Sequence, residues 1–169
     1  MIQQQSKVYL SLGGNLGDRL AVLCKAVKCL QAVSGIAVVH VSRVYETVPW
    51  GVTEQPKFLN IAIEIETAFS PLELLHIVKE LEKDLGRGSG IRWGPRMVDI
   101  DIILFGDATI RTPELTVPHA HFRERHFVLT PLAEIAPETI DPETGHTMAV
   151  LRDKLPGDEP VPYADMCYS

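Results

Sequence analysis

The order of elements read from this sequence predicts an α+β fold, a ferredoxin-like βαββαβ sandwich with helices packed on a largely antiparallel sheet. Three observations carry that expectation. Two stretches place apolar residues at helical spacing, and four others alternate or run β-branched as strands do. The two kinds of stretch follow one another as strand, helix, strand, strand, helix, strand. The turns between them contain glycine, proline or a helix-capping residue.

The first strand is predicted over Lys7–Leu12, around Val8, Tyr9 and Leu10. Gly13-Gly14-Asn15-Leu16-Gly17-Asp18 then turns the chain, and Asn15 or Asp18 is placed to cap the next helix. That helix runs to about Val33, with Leu20, Leu23, Val27 and Leu30 on one face, and Ser34-Gly35 ends it. Ile36–Tyr45 is β-branched and reads as one strand. A loop over Val48–Pro56 leads to Phe58–Thr67, where Ile61, Ile63 and Ile65 alternate with Asn60, Ala62, Glu64 and Glu66 as in a half-exposed strand. Ser70-Pro71-Leu72-Glu73 is a helix start with a capping serine, a first-turn proline and a glutamate three residues on. The helix carries Leu74, Leu75, Val78, Leu81 and Leu85 to Gly86. After a glycine-rich loop, the last core strand runs to Phe105, and Gly106-Asp107 turns the chain. A short strand near Thr109–Arg111, an extended Leu115–His119 and a helix over Glu124–Ile135 around Pro131 follow. From Pro142 onward the chain reads as a loose tail with one short helix near Met148.

A chain of 169 residues suits a single domain, here 1–169 with its core at about 7–137. The net charge of -6 offers no global field for nucleic acid. No apolar run approaches the ~20 residues of a membrane span, and Met1–Ser6 lacks the pattern of a signal peptide. Three cysteines (Cys24, Cys29, Cys167) without CxxC spacing argue against a disulfide framework or a zinc site. A monomeric protein of the reducing cytoplasm is the expectation.

The densest chemical signal is Arg92-Trp93-Gly94-Pro95-Arg96-Met97-Val98-Asp99-Ile100-Asp101. Val98, Ile100 and Ile102 alternate with Asp99 and Asp101, so the aliphatics face a core and the carboxylates share the other face. Taken alone, such a pair also suits a solvated face or two surface ion pairs. Its company favours a metal: Arg87, Arg92 and Arg96 lie among Gly86, Gly88, Gly90 and Gly94, a positive loop suited to polyphosphate, with Mg²⁺ as the remaining counter-charge. Asn60 offers one acceptor and two donors to a heteroaromatic ring edge, and Phe58 shares its face. In isolation the plainer reading leads slightly, with Phe58 a core residue at a strand end and Asn60 a solvated strand residue. His119 and Arg125 suit a phosphate, and Phe127 suits the second wall of a ring sandwich. The Gly13–Gly17 turn is a tight turn beside a site more than a phosphate cradle, because it is neither a Walker loop nor GxGxxG.

Read together, these residues resemble the 6-hydroxymethyl-7,8-dihydropterin pyrophosphokinase family. Arg92-Trp93-Gly94-Pro95-Arg96-x-x-Asp99-Ile100-Asp101-Ile102 carries most of the likeness, with Gln55-Pro56-x-Phe58-Leu59-Asn60 and Leu115-Thr116-Val117-Pro118-His119 behind it. The resemblance implies an ATP-dependent diphosphokinase of folate biosynthesis. It would transfer the β,γ-diphosphate of ATP to the hydroxymethyl group of the reduced pterin and release AMP. It implies two Mg²⁺ ions on Asp99 and Asp101, with Arg87, Arg92 and Arg96 also catalytic. For ATP it implies Leu75, Glu82, Trp93, Arg96, Ile102, Leu115, Thr116, His119 and Arg125. For the pterin it implies Thr47, Val48, Trp50, Phe58, Asn60, Trp93, Asp99 and Phe127.

Overall fold

The structure, a computed structural model, describes residues 4–47, 56–86 and 97–166. Eight strands and four helices are found among them: β1 (Ser6–Gly14), α1 (Arg19–Ala32), β2 (Ile36–Val41), β3 (Val44–Thr47), β4 (Phe58–Thr67), α2 (Pro71–Gly86), β5 (Asp99–Phe105), β6 (Ile110–Arg111), β7 (Thr116–Val117), α3 (His126–Ile135), α4 (Met148–Lys154) and β8 (Val161–Ala164). The main sheet runs β5-β1-β4-β3-β8, with β2 also on β4. All its pairings are antiparallel. With β2 and β3 counted as one broken strand, this is the expected ferredoxin-like order.

Local chemistry sets the helix ends. Asp18 accepts the Ala21 amide at 3.1 Å and caps α1. Ser70 and Glu73 exchange amide hydrogen bonds of 2.9 and 3.2 Å, a complete capping box at α2. The predicted single strand Ile36–Tyr45 is instead two. The Ser42 hydroxyl takes the Ala62 amide at 2.9 Å, and the Arg43 amide turns to Glu134 of α3. The ladder is thereby interrupted at residues 42 and 43 without leaving a buried polar group unmatched.

Helices cover both faces of the sheet. Leu10, Leu12, Ile61, Ile63, Ile65, Ile100 and Ile102 meet α1 and α2 in one apolar cluster. Tyr9, Ala62, Ile103 and Leu104 meet α3 and α4 in a second. The register shift beyond Tyr9 lets Ile103 and Leu104 both serve the second cluster. Hence β4 is not half-exposed: Asn60, Ala62 and Glu64 are 4%, 2% and 5% exposed. The buried Glu64 carboxylate accepts the Tyr9 hydroxyl at 2.8 Å.

The expected loose tail is ordered onto this frame. Met148 is fully buried, and β8 extends the sheet beyond β3. Asp141, also fully buried, accepts from Arg123 at 2.5 and 2.9 Å. Cys24 is disulfide-bonded and Cys29 is free, so the odd cysteine count excluded complete pairing and not a single bridge.

Candidate active site

One row of the sheet sets the floor. Gly13 of β1 pairs with Asn60 of β4 on one side and with Asp99 of β5 on the other. Paired antiparallel residues share a face, so Asn60 and Asp99 stand about 10 Å apart, two strand spacings, with no side chain between them. Glycine is required at this crossing. A Cβ on Gly13 would lie 2.3 Å from Asn60 Oδ1, and one on Gly14 would lie 2.0 Å from the Met97 carbonyl oxygen. Asn60 Nδ2 donates to Thr47 Oγ1 at 3.1 Å, which fixes the carboxamide plane. Phe58, half-buried, is cross-strand from Thr47.

The next row is Ser11 with Ala62 and Asp101. Asp99 is exposed and Asp101 half-buried, whereas Val98, Ile100 and Ile102 are 2%, 1% and 4% exposed, as the alternation predicts. His119 lies near enough to Asp101 and Arg125 to feel both charges. Burial is the main reason that its imidazole titrates below its ordinary range; Arg125 and His121 add to this and Asp101 opposes it. His119 Nδ1 accepts the His121 amide at 3.3 Å, so the neutral ring carries its proton on Nε2. Its own amide donates to the Ile103 carbonyl at 3.0 Å and ties this loop to β5. The Arg125 guanidinium lies 5.6 Å from the Phe127 ring centroid.

Leu75 of α2, Ile102 of β5 and Leu115 join the apolar cluster on the opposite face of β5, with Thr116 exposed beside them. Glu82 is 8% exposed and accepts the Ile100 amide at 3.0 Å. Lys79 pairs with the same carboxylate oxygen at 3.1 Å.

The described residues therefore bring Asp99, Asp101, His119, Arg125, Phe127, Phe58, Asn60 and Thr47 to one face, and Leu75, Ile102 and Leu115 to the other face of the same end strand. Val48, Trp50, Arg87, Arg92, Trp93 and Arg96 lie outside the described residues. Among those described, no group of three or more His, Cys, Asp or Glu could hold a metal. Two hard carboxylate ligands nevertheless suit Mg²⁺, which keeps waters and completes its shell with substrate phosphates. Two features went unread in the sequence: Gly13 as the floor between Asn60 and Asp99, and the His121 amide behind His119. A Gly-Gly pair ending a strand signals the first; nothing in the sequence signals the second.

The profile of the family described as 7,8-dihydro-6-hydroxymethylpterin-pyrophosphokinase matches residues 9–137. The 2-amino-4-hydroxy-6-hydroxymethyldihydropteridine pyrophosphokinase of Bacillus subtilis is 48% identical over 127 residues, covering 75% of this chain and 76% of its own. The enzyme of the same name from Methylorubrum extorquens is 47% identical over 135 residues, covering 80% and 85%. The mitochondrial folate synthesis bifunctional protein of Pisum sativum is 41% identical over 92% of this chain, which spans only 32% of that longer protein. Among solved structures, wild-type HPPK-DHPS of Plasmodium falciparum with STZ-DHP superposes with a TM-score of 0.74 at 16% identity, covering 89% of this chain and 43% of that one. At that identity the likeness is one of fold.

Proposed function

The chain belongs to the 7,8-dihydro-6-hydroxymethylpterin-pyrophosphokinase family, and from that premise we propose how its residues divide the work. It is a pyrophosphokinase of folate biosynthesis: the diphosphate of ATP passes to the hydroxymethyl group of 6-hydroxymethyl-7,8-dihydropterin, leaving AMP. The hydroxymethyl oxygen forms a bond to the β-phosphorus, the bond from that phosphorus to the α,β-bridging oxygen breaks with its electron pair staying on AMP, and the hydroxyl proton passes to solvent water.

The row Asn60·Gly13·Asp99 is the observation that carries the residue assignment. The Asn60 carboxamide hydrogen-bonds the polar edge of the pterin, held in plane by Thr47. Phe58 and Phe127 stack on the two ring faces, and the glycine floor leaves room for the ring. Thr47 lines the same edge, and the family resemblance assigns Val48 and Trp50 to it as well. Asp99 and Asp101 hold Mg²⁺, two ions in our reading. When bound, Mg²⁺ neutralises the phosphates and lowers the pKa of the attacking hydroxyl. His119 donates its Nε2–H to a phosphate oxygen, and Arg125 adds a fixed positive charge. The family resemblance assigns further positive charge to Arg87, Arg92 and Arg96 and a substrate contact to Trp93. Leu75, Ile102, Leu115 and Thr116 receive the adenine. Such a transfer needs positioning and charge neutralisation and no nucleophilic side chain. The whole chain works as one domain.

The test is the Asp99→Ala and Asp101→Ala pair, assayed with saturating Mg²⁺ and with products weighed by mass spectrometry. Turnover should fall by about a hundred- to a thousandfold in each, the scale of losing a principal electrostatic group. Because Asp99 is exposed, the melting temperature of its variant should barely move. Wild-type turnover in either variant rejects the metal assignment.

A further inference from the structure

Among the described residues, the end strand β5 has β1 on one side and no strand on the other. On such an edge the outward amides and carbonyls need other partners. Two are supplied from outside the sheet: His119 donates its amide to Ile103, and Glu82 accepts the amide of Ile100. Ile100 is the residue between Asp99 and Asp101. Its Cα position and the tilt of its peptide planes therefore set where both carboxylates point.

We propose that Glu82 is a positioning residue for the Asp99–Asp101 pair, acting by reach through the Ile100 amide and not by charge on the substrate. The geometry of α2 supports this. Leu74, Val78, Glu82 and Leu85 form its buried stripe, so Glu82 occupies a core-facing place that an aliphatic residue would ordinarily fill. A carboxylate there is costly unless it is matched. Ile100 N–H at 3.0 Å and Lys79 Nζ at 3.1 Å both reach Oε1. Lys79 sits one turn earlier on α2, is partly exposed, and fixes the carboxylate rotamer from the solvent side. Groups that hydrogen-bond metal ligands directly typically hold 10–100-fold of metal affinity, which sets the upper scale for a clamp one peptide removed. This inference rests on the reading of Asp99 and Asp101 as metal ligands given above.

Two substitutions separate reach from charge. Glu82→Gln keeps an oxygen at the same distance from Ile100 and removes the charge. Glu82→Asp keeps the charge and withdraws the oxygen by about 1.5 Å, one side-chain carbon. Amide hydrogen exchange at Ile100 in the metal-free protein reads the clamp itself. Mn²⁺ titration by electron paramagnetic resonance, with a non-hydrolysable ATP analogue, reads the carboxylate pair. Glu82→Asp should exchange Ile100 at least about tenfold faster and weaken Mn²⁺ binding about tenfold or more, while Glu82→Gln stays within about threefold of wild type in both. The reverse order, with Glu82→Gln impaired and Glu82→Asp unaffected, assigns Glu82 to direct charge recognition and overturns the proposal. So does Mn²⁺ affinity unchanged in both variants. If Asp99→Ala and Asp101→Ala leave Mn²⁺ binding intact, it is the metal reading that fails, and the Ile100 exchange rates still report on the clamp.

Discussion

At Gly13 and Gly14 the same substitution should fail in two different ways. A methyl on Gly13 meets the free end of the Asn60 side chain at 2.3 Å, and that end can swing aside. Gly13→Ala should therefore cost about 1–2 kcal/mol of stability, most of it the broken Asn60–Thr47 hydrogen bond. It should also misplace the carboxamide, weakening pterin binding by about tenfold, since a site built to hydrogen-bond its ligand discriminates strongly. A methyl on Gly14 meets the Met97 carbonyl oxygen at 2.0 Å, which is backbone and cannot move alone. Gly14→Ala should cost roughly 3 kcal/mol. Denaturant melts and a fluorescence titration with the pterin check both. Wild-type pterin affinity in Gly13→Ala would show that Asn60 does not read the ring edge. At this scale the sequence told residue type and missed company. The Asp99–Asp101 alternation was legible because the period of a strand is local. The burial of Glu64 was not, because its partner Tyr9 is 55 residues away.

Elements were legible where their ends carry their own chemistry. The capping box at Ser70 and Glu73 announces α2, and the isoleucines of β4 announce its α1–α2 face. The opposite face of β4 misled because Asn60, Ala62 and Glu64 look solvated until α3 is laid over them. The break in Ile36–Tyr45 was hidden because Ser42 has unremarkable strand propensity, and only its pairing with Ala62 shows its role. That pairing gives a measurable consequence. Ser42 is 1% exposed, and its hydroxyl both accepts the Ala62 amide and donates to the Arg43 carbonyl at 2.8 Å. Ser42→Ala leaves a buried amide on the central strand without an acceptor, which should cost about 1–3 kcal/mol. Ser42→Thr keeps the hydroxyl and should recover most of it. Equal losses in the two variants, read from urea midpoints, would assign the effect to packing around the added or missing carbon.

Across the whole molecule, the ordered structure continues past residue 137, where the match to the family profile ends. Residues 138–166 close over α3, extend the sheet through β8, and are fastened by Asp141. Its carboxylate accepts from Arg123, from the Glu143 amide at 3.0 Å and from the Thr144 hydroxyl at 2.8 Å. Burial alone would raise its pKa, but these partners outweigh it and hold the carboxyl below its ordinary 3.8. The stabilising contribution is thus fully present above pH 3.8 and is lost as pH falls through the lower folded-state value. Asp141→Ala removes several hydrogen bonds to a buried carboxylate while Arg123 keeps Glu143, and should cost about 2–3 kcal/mol at neutral pH. The gap to wild type should narrow steadily as the medium is acidified below that point. A gap independent of pH, followed by guanidinium denaturation, would mean that packing and not ionisation fastens this segment. Arg123 lies in the helical turn Phe122–Glu124, flanked by His119 and Arg125. If this latch also sets His119 and Arg125, which we assign to the phosphates, the Asp141 variant should raise the KM for ATP at temperatures well below its melt. Lost stability with an unchanged KM would show that the segment supports the fold and does not position His119 and Arg125.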